Sequence, residues 1–295
     1  MSALLAVLAA AATPTCALPP GWEAVEARRT RFVVVGEIHG SAEVPALVGG
    51  IACALAARGE RVLLAVELDS SNDAELRALW SLPHPRFRAS LPRFRGWTGR
   101  NDGVGSRAMA DLLLALHARR AAGAAVDVVA FNGARDANQQ ARFASLPGQG
   151  PHEAAQAENI RDAAARGRYD RVLVLVGEVH ARRRPVTDHG AAFDPMARRL
   201  APASDVTSLR VVDGGGSLWG CQLRDGYVPR KGEPVAAEAI GCTSRPAKAM
   251  ADLGPGPFAR LGDPPGAPGG GTYDGYLWVG RVTASPPVAA TVAPQ

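Results

Sequence analysis

Two octapeptides of this chain are near copies of one another: VVVGEIHG at 33–40 and VLVGEVHA at 174–181. Each sets Gly-Glu-x-His directly after a run of aliphatic residues, so each ends an apolar strand with a carboxylate and an imidazole two residues apart. Side chains at i and i+2 of an extended segment share a face, and ligands of a parallel sheet collect beyond the carboxyl ends of its strands. Glu37, His39, Glu178 and His180 are therefore expected to line one cavity if the two strands are neighbours. Gly36 and Gly177 suit a sharp strand exit with close backbone approach. LAVELD at 64–69 brings Glu67 and Asp69 to a third strand end, and VVAFNG at 128–133 brings Asn132 to a fourth.

Such a set can do one of two things. Glu37, His39, Glu67, Glu178 and His180 can bind a divalent metal through imidazole and carboxylate ligands. Alternatively, they can work without metal in general acid/base catalysis, with His39 activating water, Glu37 and Glu67 orienting it, and His180 completing the site. Crowded carboxylates raise one another's pKa, so a cation is expected beside them. Arg182–Arg184, directly after His180, and Arg107, after Asp102-Gly103, are the candidates, and Arg107 would stabilise negative charge developing on a substrate. The remaining histidines, His84, His117, His152 and His189, have no strand-end setting. His117 reads as a boundary residue of a helix and His84 as part of a loop.

The elements that must position these groups follow from periodicity. Continuous apolar runs at 31–35, 62–66, 126–131 and 171–176 read as strands buried on both faces. Helices are expected at 41–59, capped by Ser41 and ended by Gly59, at 73–82, at 106–123 behind Ser106, and at 153–167. Further strands are expected at 206–212, 218–223 and 276–282. This alternation gives an α/β fold, a mainly parallel sheet with helices on both faces and extra C-terminal strands, in a single domain over 22–283. The stretch 253–275 reads as a long loop and 284–295 as a flexible tail. Earlier in the chain, PRFRASLPRFRGWTGR at 85–100 reads as a solvated, arginine-rich lid over the strand ends, suited to clamping carboxylates.

Composition narrows the class. A length of 295 residues with 47% apolar and 21% charged residues supports one sizeable core. The net charge of +5 is spread along the chain, which argues against a nucleic-acid partner. Neither P-loop, nor G-x-G-x-x-G after the first strand, nor G-x-S-x-G is present. Residues 1–17 have the apolar core and small-residue end of an export signal, although no basic residue precedes the core. The protein is thus expected to be exported, periplasmic or secreted, in preference to lipid-anchored at Cys16, with no transmembrane span in the mature chain. Cys16 would leave with the signal, Cys221 and Cys242 would pair, and Cys53 would remain a buried thiol.

VVVGEIHG, LLAVELD, AQAENI at 155–160 and VLVLVGEVHA occur in the order that resembles the superfamily of erythromycin esterases, ChaN-like haem-uptake proteins and Tiki/TraB proteins. The similarity covers about residues 30–185 and is nearest to the ChaN-like branch. It maps the family's first Glu and His onto Glu37 and His39, the second-strand acid onto Glu67 and the late histidine onto His180. It implies an exported hydrolase-like protein acting on an ester or amide of a small-molecule or peptide substrate, with a divalent metal as one cofactor. The alternative is a protein that binds haem or another carboxylated ligand without catalysis. Tyr169, Tyr227, Tyr273 and Tyr276, the phenols available to haem, all fall outside the shared motifs.

Overall fold

The computed structural model describes residues 16–188, 190–228, 235–266 and 270–288. His189, most of the signal segment and the end of the tail lie outside the described residues.

After α1 (Trp22–Ala27), the chain runs β1 (Phe32–Glu37), α2 (Glu43–Ala57), β2 (Val62–Asp69), α3 (Asp73–Trp80), α4 (His84–Ser90), α5 (Arg107–Ala121) and β3 (Val126–Asn132). There follow α6 (Ala137–Phe143), α7 (Gly150–Arg166), β4 (Arg171–Gly177), β5 (Val186–Asp188), β6 (Ala191–Phe193), α8 (Met196–Leu200), β7 (Val206–Val212), β8 (Gly216–Leu223), β9 (Ile240–Ala247), β10 (Phe258–Leu261) and β11 (Gly275–Trp278). Seven strands form the main sheet in the order β10-β11-β7-β1-β4-β2-β3, parallel except for the β10–β11 edge pair. β5–β6 and β8–β9 are separate antiparallel ribbons. This is the expected α/β architecture, with its antiparallel additions toward the C-terminus.

The continuous apolar runs have a simple cause: alternate residues enter alternate layers. Val33 and Val35 of β1 pack with α2 and α5, through Val48, Ile51, Leu112 and Leu116. Phe32 and Val34 pack on the opposite face with Ile160 of α7 and Leu200 of α8. A strand covered on both sides needs apolar side chains at every position. β1 lies between β4 and β7, and β4 lies between β1 and β2, so the three acid-bearing strand ends are consecutive at the middle of the sheet.

Four expectations are corrected. The 85–100 segment is not a solvated lid: it holds α4 and two short 3-10 turns, and Phe87, Phe94 and Trp97 are buried in the larger core while Arg86, Arg88, Arg93 and Arg95 remain exposed. Within 253–275, β10 pairs with β11 rather than looping freely. Residues 284–288 are docked: the Ser285 N–H donates to the Gly40 carbonyl (2.8 Å), its Oγ accepts from the Ala108 N–H (2.9 Å), and Pro287 bridges to Ser106.

The fourth concerns the cysteines. Cys221 and Cys242 pair across β8 and β9 as expected, but Cys53 is no free thiol, because it is joined to Cys16. Cys16 therefore belongs with the folded body. That bond closes a loop of 37 residues, for which the loss of unfolded-state entropy predicts a stabilisation of about 3–4 kcal/mol. Cys16→Ser is expected to lower the unfolding free energy by that amount in non-reducing urea titrations, and Cys53→Ser should match it.

Candidate active site

β1 and β4 pair with Glu37 opposite Gly177, not opposite Glu178. The two look-alike tips are out of register by one residue, and paired residues on neighbouring strands face the same way. Glu178 therefore points away from Glu37. Arg210 of β7 holds it instead, through Nε and Nη2 at 3.0 Å each to Oε2. His180 still returns to the site because the chain turns immediately after β4, its N–H bonded to the Gly177 carbonyl (3.0 Å). Gly177 is the floor: a Cβ there would lie 3.1 Å from His39 Nε2, 3.4 Å from His180 Cδ2 and 3.6 Å from Glu67 Oε2. Gly36 is required for a different reason, since its Cβ would fall 2.6 Å from that of Ala181.

Over that floor, acids and imidazoles alternate in a row of five. The Glu153 Oε1 lies 2.6 Å from His180 Nδ1, and His180 Nε2 is 3.6 Å from Glu67 Oε1. Glu67 Oε2 is in turn 3.2 Å from His39 Nε2, and His39 Nδ1 is 3.0 Å from Glu37 Oε1. Glu67, the centre of the row, also accepts the Gly177 N–H at 2.6 Å. Glu153 is fully buried on α7 and spends its second oxygen on the N–H of Met196 (2.6 Å) at the start of α8. The middle of the row opens into a cleft of about 460 Å³, also lined by Arg100, Asp102 and Asn132. Asn132 is held by Gln156 Nε2 (2.8 Å), which also sits 3.0 Å from His152 Nε2.

Burial opposes charge on Glu37, His39, Glu67 and His180, yet three of these four keep it. Burial works against protonated His39, but the Glu67 charge and the hydrogen bonds to Glu37 and Glu67 outweigh it and carry the imidazole up to about 10. Burial would raise Glu67, but His39, His180 and the Gly177 N–H hold it at about 2. His180 is likewise raised in spite of burial, by its bond to Glu153 and the Glu67 charge. Glu37 goes the other way: burial lifts it above the usual carboxylate range, and its Oε2 is buried without a hydrogen-bond partner. Burial and the nearby His180 charge push His152 down.

Of the expected site residues, Glu37, His39, Glu67 and His180 converge. Glu178 borders the cleft but is tied to Arg210. Arg107 does not take part: it is exposed on the first turn of α5 and its nearest charge effect is on Asp111. Arg100 is the arginine on the cleft wall. Arg182, Arg183 and Arg184 turn toward the 271–274 segment, near Tyr273, Asp274 and Gly271 respectively. Sequence reasoning missed Glu153. Its signal was present, because Glu153, Gln156 and Asn159 lie on the same side of α7 as the core residues Ala157 and Ile160, where a helix has no reason to bury polar groups unless they are bonded.

A divalent metal fits this arrangement poorly. Both nitrogens of His39 already face carboxylate oxygens, and among the described residues no three His, Cys, Asp or Glu side chains form a group that could hold a metal ion. Among the described residues no helix is long and apolar enough to cross a membrane.

No protein-family model and no curated protein sequence matches the chain. Solved structures do. An erythromycin esterase variant in its open conformation superposes with a TM-score of 0.59 at 13% identity, over 89% of this chain and 95% of that one. A succinoglycan biosynthesis protein gives 0.57 at 9% identity over 93% and 95%, and a Bacillus cereus protein gives 0.57 at 11% over 93% and 96%. At these identities the likeness is one of fold, and it extends over nearly the whole of each chain: the chain shares the mixed α/β fold of an erythromycin esterase.

Proposed function

We propose that this protein is an exported hydrolase that cleaves an ester or amide bond of a small-molecule or peptide substrate by metal-free acid/base chemistry. The observation that carries the reading is His39 held between two carboxylates at the mouth of a cleft, with a second carboxylate-backed imidazole across Glu67. The esterase among the structures of like fold is consistent with it. The two disulfides support the exported, oxidising location.

In this mechanism a substrate carbonyl and a water enter between His39 Nε2 and Glu67. Displacing that contact removes much of what holds His39 protonated, so the imidazole can give up its proton and act as base. The water oxygen attacks the carbonyl carbon while its proton passes to His39 Nε2. Glu37 at Nδ1 fixes the ring's tautomer and stabilises the imidazolium that forms. Protonated His180, held by Glu153, stabilises the oxyanion. His39 then returns the proton to the departing alcohol or amine as the tetrahedral intermediate collapses to the acid. Glu67, held at about 2 in the free protein, stays ionised and keeps its contact with His180.

The test is a panel of nitrophenyl esters, alkyl esters and peptide amides with the purified full chain, with and without excess EDTA. Hydrolysis that survives the chelator is expected. Activity abolished by EDTA and restored by a divalent ion would replace this mechanism with a metal-dependent one. No turnover of any ester or amide would remove the hydrolase reading.

A further inference from the structure

We infer that the substrate of this cleft carries an anionic group, a carboxylate in the simplest case, close to its scissile bond, and that Arg100 binds it. This rests on the hydrolase reading for the word substrate, but the anion site stands on its own observations. The acids that border the cleft are already engaged. Glu67 accepts from Gly177 and faces both imidazoles, Glu178 is held by Arg210, and Glu37 is bonded to His39. Asp102 accepts the N–H groups of Val104 and Gly105 at 3.2 and 3.4 Å.

Arg100 differs from them. Its guanidinium borders the cleft, where it is the sole lysine or arginine among the described residues, and its contacts are long. Nη2 reaches the Glu67 carbonyl at 3.4 Å, Nε lies 3.5 Å from Asp102 Oδ1, and Nε is buried with no hydrogen bond at all. A guanidinium has five N–H donors in a planar fork that matches a carboxylate, and most of this one's capacity is unspent. Its Cβ lies close to Gly105, where an added Cβ would fall 2.8 Å from it. The cleft thus offers a half-buried cation with free donors, next to acids that are each already bonded to another partner. Other arginines of 85–100 point into solvent and cannot share the task.

The experiment compares kcat/KM for mono-4-nitrophenyl succinate and for 4-nitrophenyl butyrate, which differ chiefly by the charge, in the wild type, Arg100→Gln and Arg100→Lys. Calorimetric titration with free succinate accompanies it. The wild type is expected to prefer the anionic ester, and Arg100→Gln to cut that preference roughly 10- to 100-fold, through KM, as befits the loss of a charge-assisted bidentate pair. Arg100→Lys should fall between, and succinate binding should weaken at least tenfold in Arg100→Gln. An unchanged preference in that variant, or a wild type that treats both esters alike, overturns the inference while leaving the hydrolase intact. If neither ester is cleaved, the titration alone decides the anion site, and no succinate binding to the wild type ends it, while the wider ester and amide panel decides the hydrolase reading separately.

Discussion

His39→Ala is expected to lower kcat/KM per folded molecule, for any substrate the protein cleaves, by about a thousandfold or more, at the upper end of what a general base contributes. The pH profile should identify the role. In the free protein His39 is held protonated up to about 10, and kcat/KM reports the free enzyme's groups. The wild-type value should therefore climb with unit logarithmic slope through neutrality and level off near pH 10. The profile for kcat should level off earlier, because bound substrate separates His39 from Glu67. A kcat/KM that is flat from pH 6 to 9, or falls, would assign His39 the role of acid and contradict the mechanism.

Glu67→Gln should cost the most stability of any conservative change at the site. The amide keeps the shape, but two partly exposed imidazolium rings then face a neutral group, and the loss should stay below the about 3–5 kcal/mol that breaking a fully buried ion pair costs. The pH dependence of unfolding separates this from simple packing loss. His39 has a folded pKa above its unfolded value, so its contribution is complete below about 6.5 and is lost as pH rises through about 10. Glu67 has a folded pKa below its unfolded value, so its contribution is complete above about 4.5 and is lost as pH falls through about 2. The wild type should thus lose stability on both limbs. In Glu67→Gln the acid limb should shrink and the alkaline limb should flatten. Denaturant unfolding at intervals from pH 3 to 10 reads both, and parallel curves for the two proteins would contradict the coupling.

What the sequence disclosed, and what it concealed, divides along physical lines. The strands and their order of appearance were legible because two-sided burial demands unbroken apolar runs, and the convergence of Glu37, His39, Glu67 and His180 followed from where such strands end. Glu178 misled because strand register is a tertiary fact: one residue of offset between β1 and β4 sends the second copy's acid to the other side. Arg100 and Arg107 are equally plausible on paper, and only the path of the segment anchored by Phe94 and Trp97 decides between them. Those aromatics were read as a wet surface because their arginine neighbours are wet. Glu153 went unnoticed since a carboxylate in a polar helix is ordinarily solvated. The apolar run before Cys16 has the pattern of a discarded leader, and nothing local to Cys16 shows that it pairs with Cys53.

The clasp made by Ser285 on the Gly40 carbonyl and on the first turn of α5 bears on when the molecule becomes competent. The His39 loop stands near the start of the domain, whereas this fastener comes from its far end. A chain that stops before 284 can form β1, β2 and their helices and still lack one of the restraints on the loop beside Glu67. Competence is thereby tied to completion of synthesis, so truncated translation products would carry the whole acid–imidazole row in their sequence and yet hold it loosely.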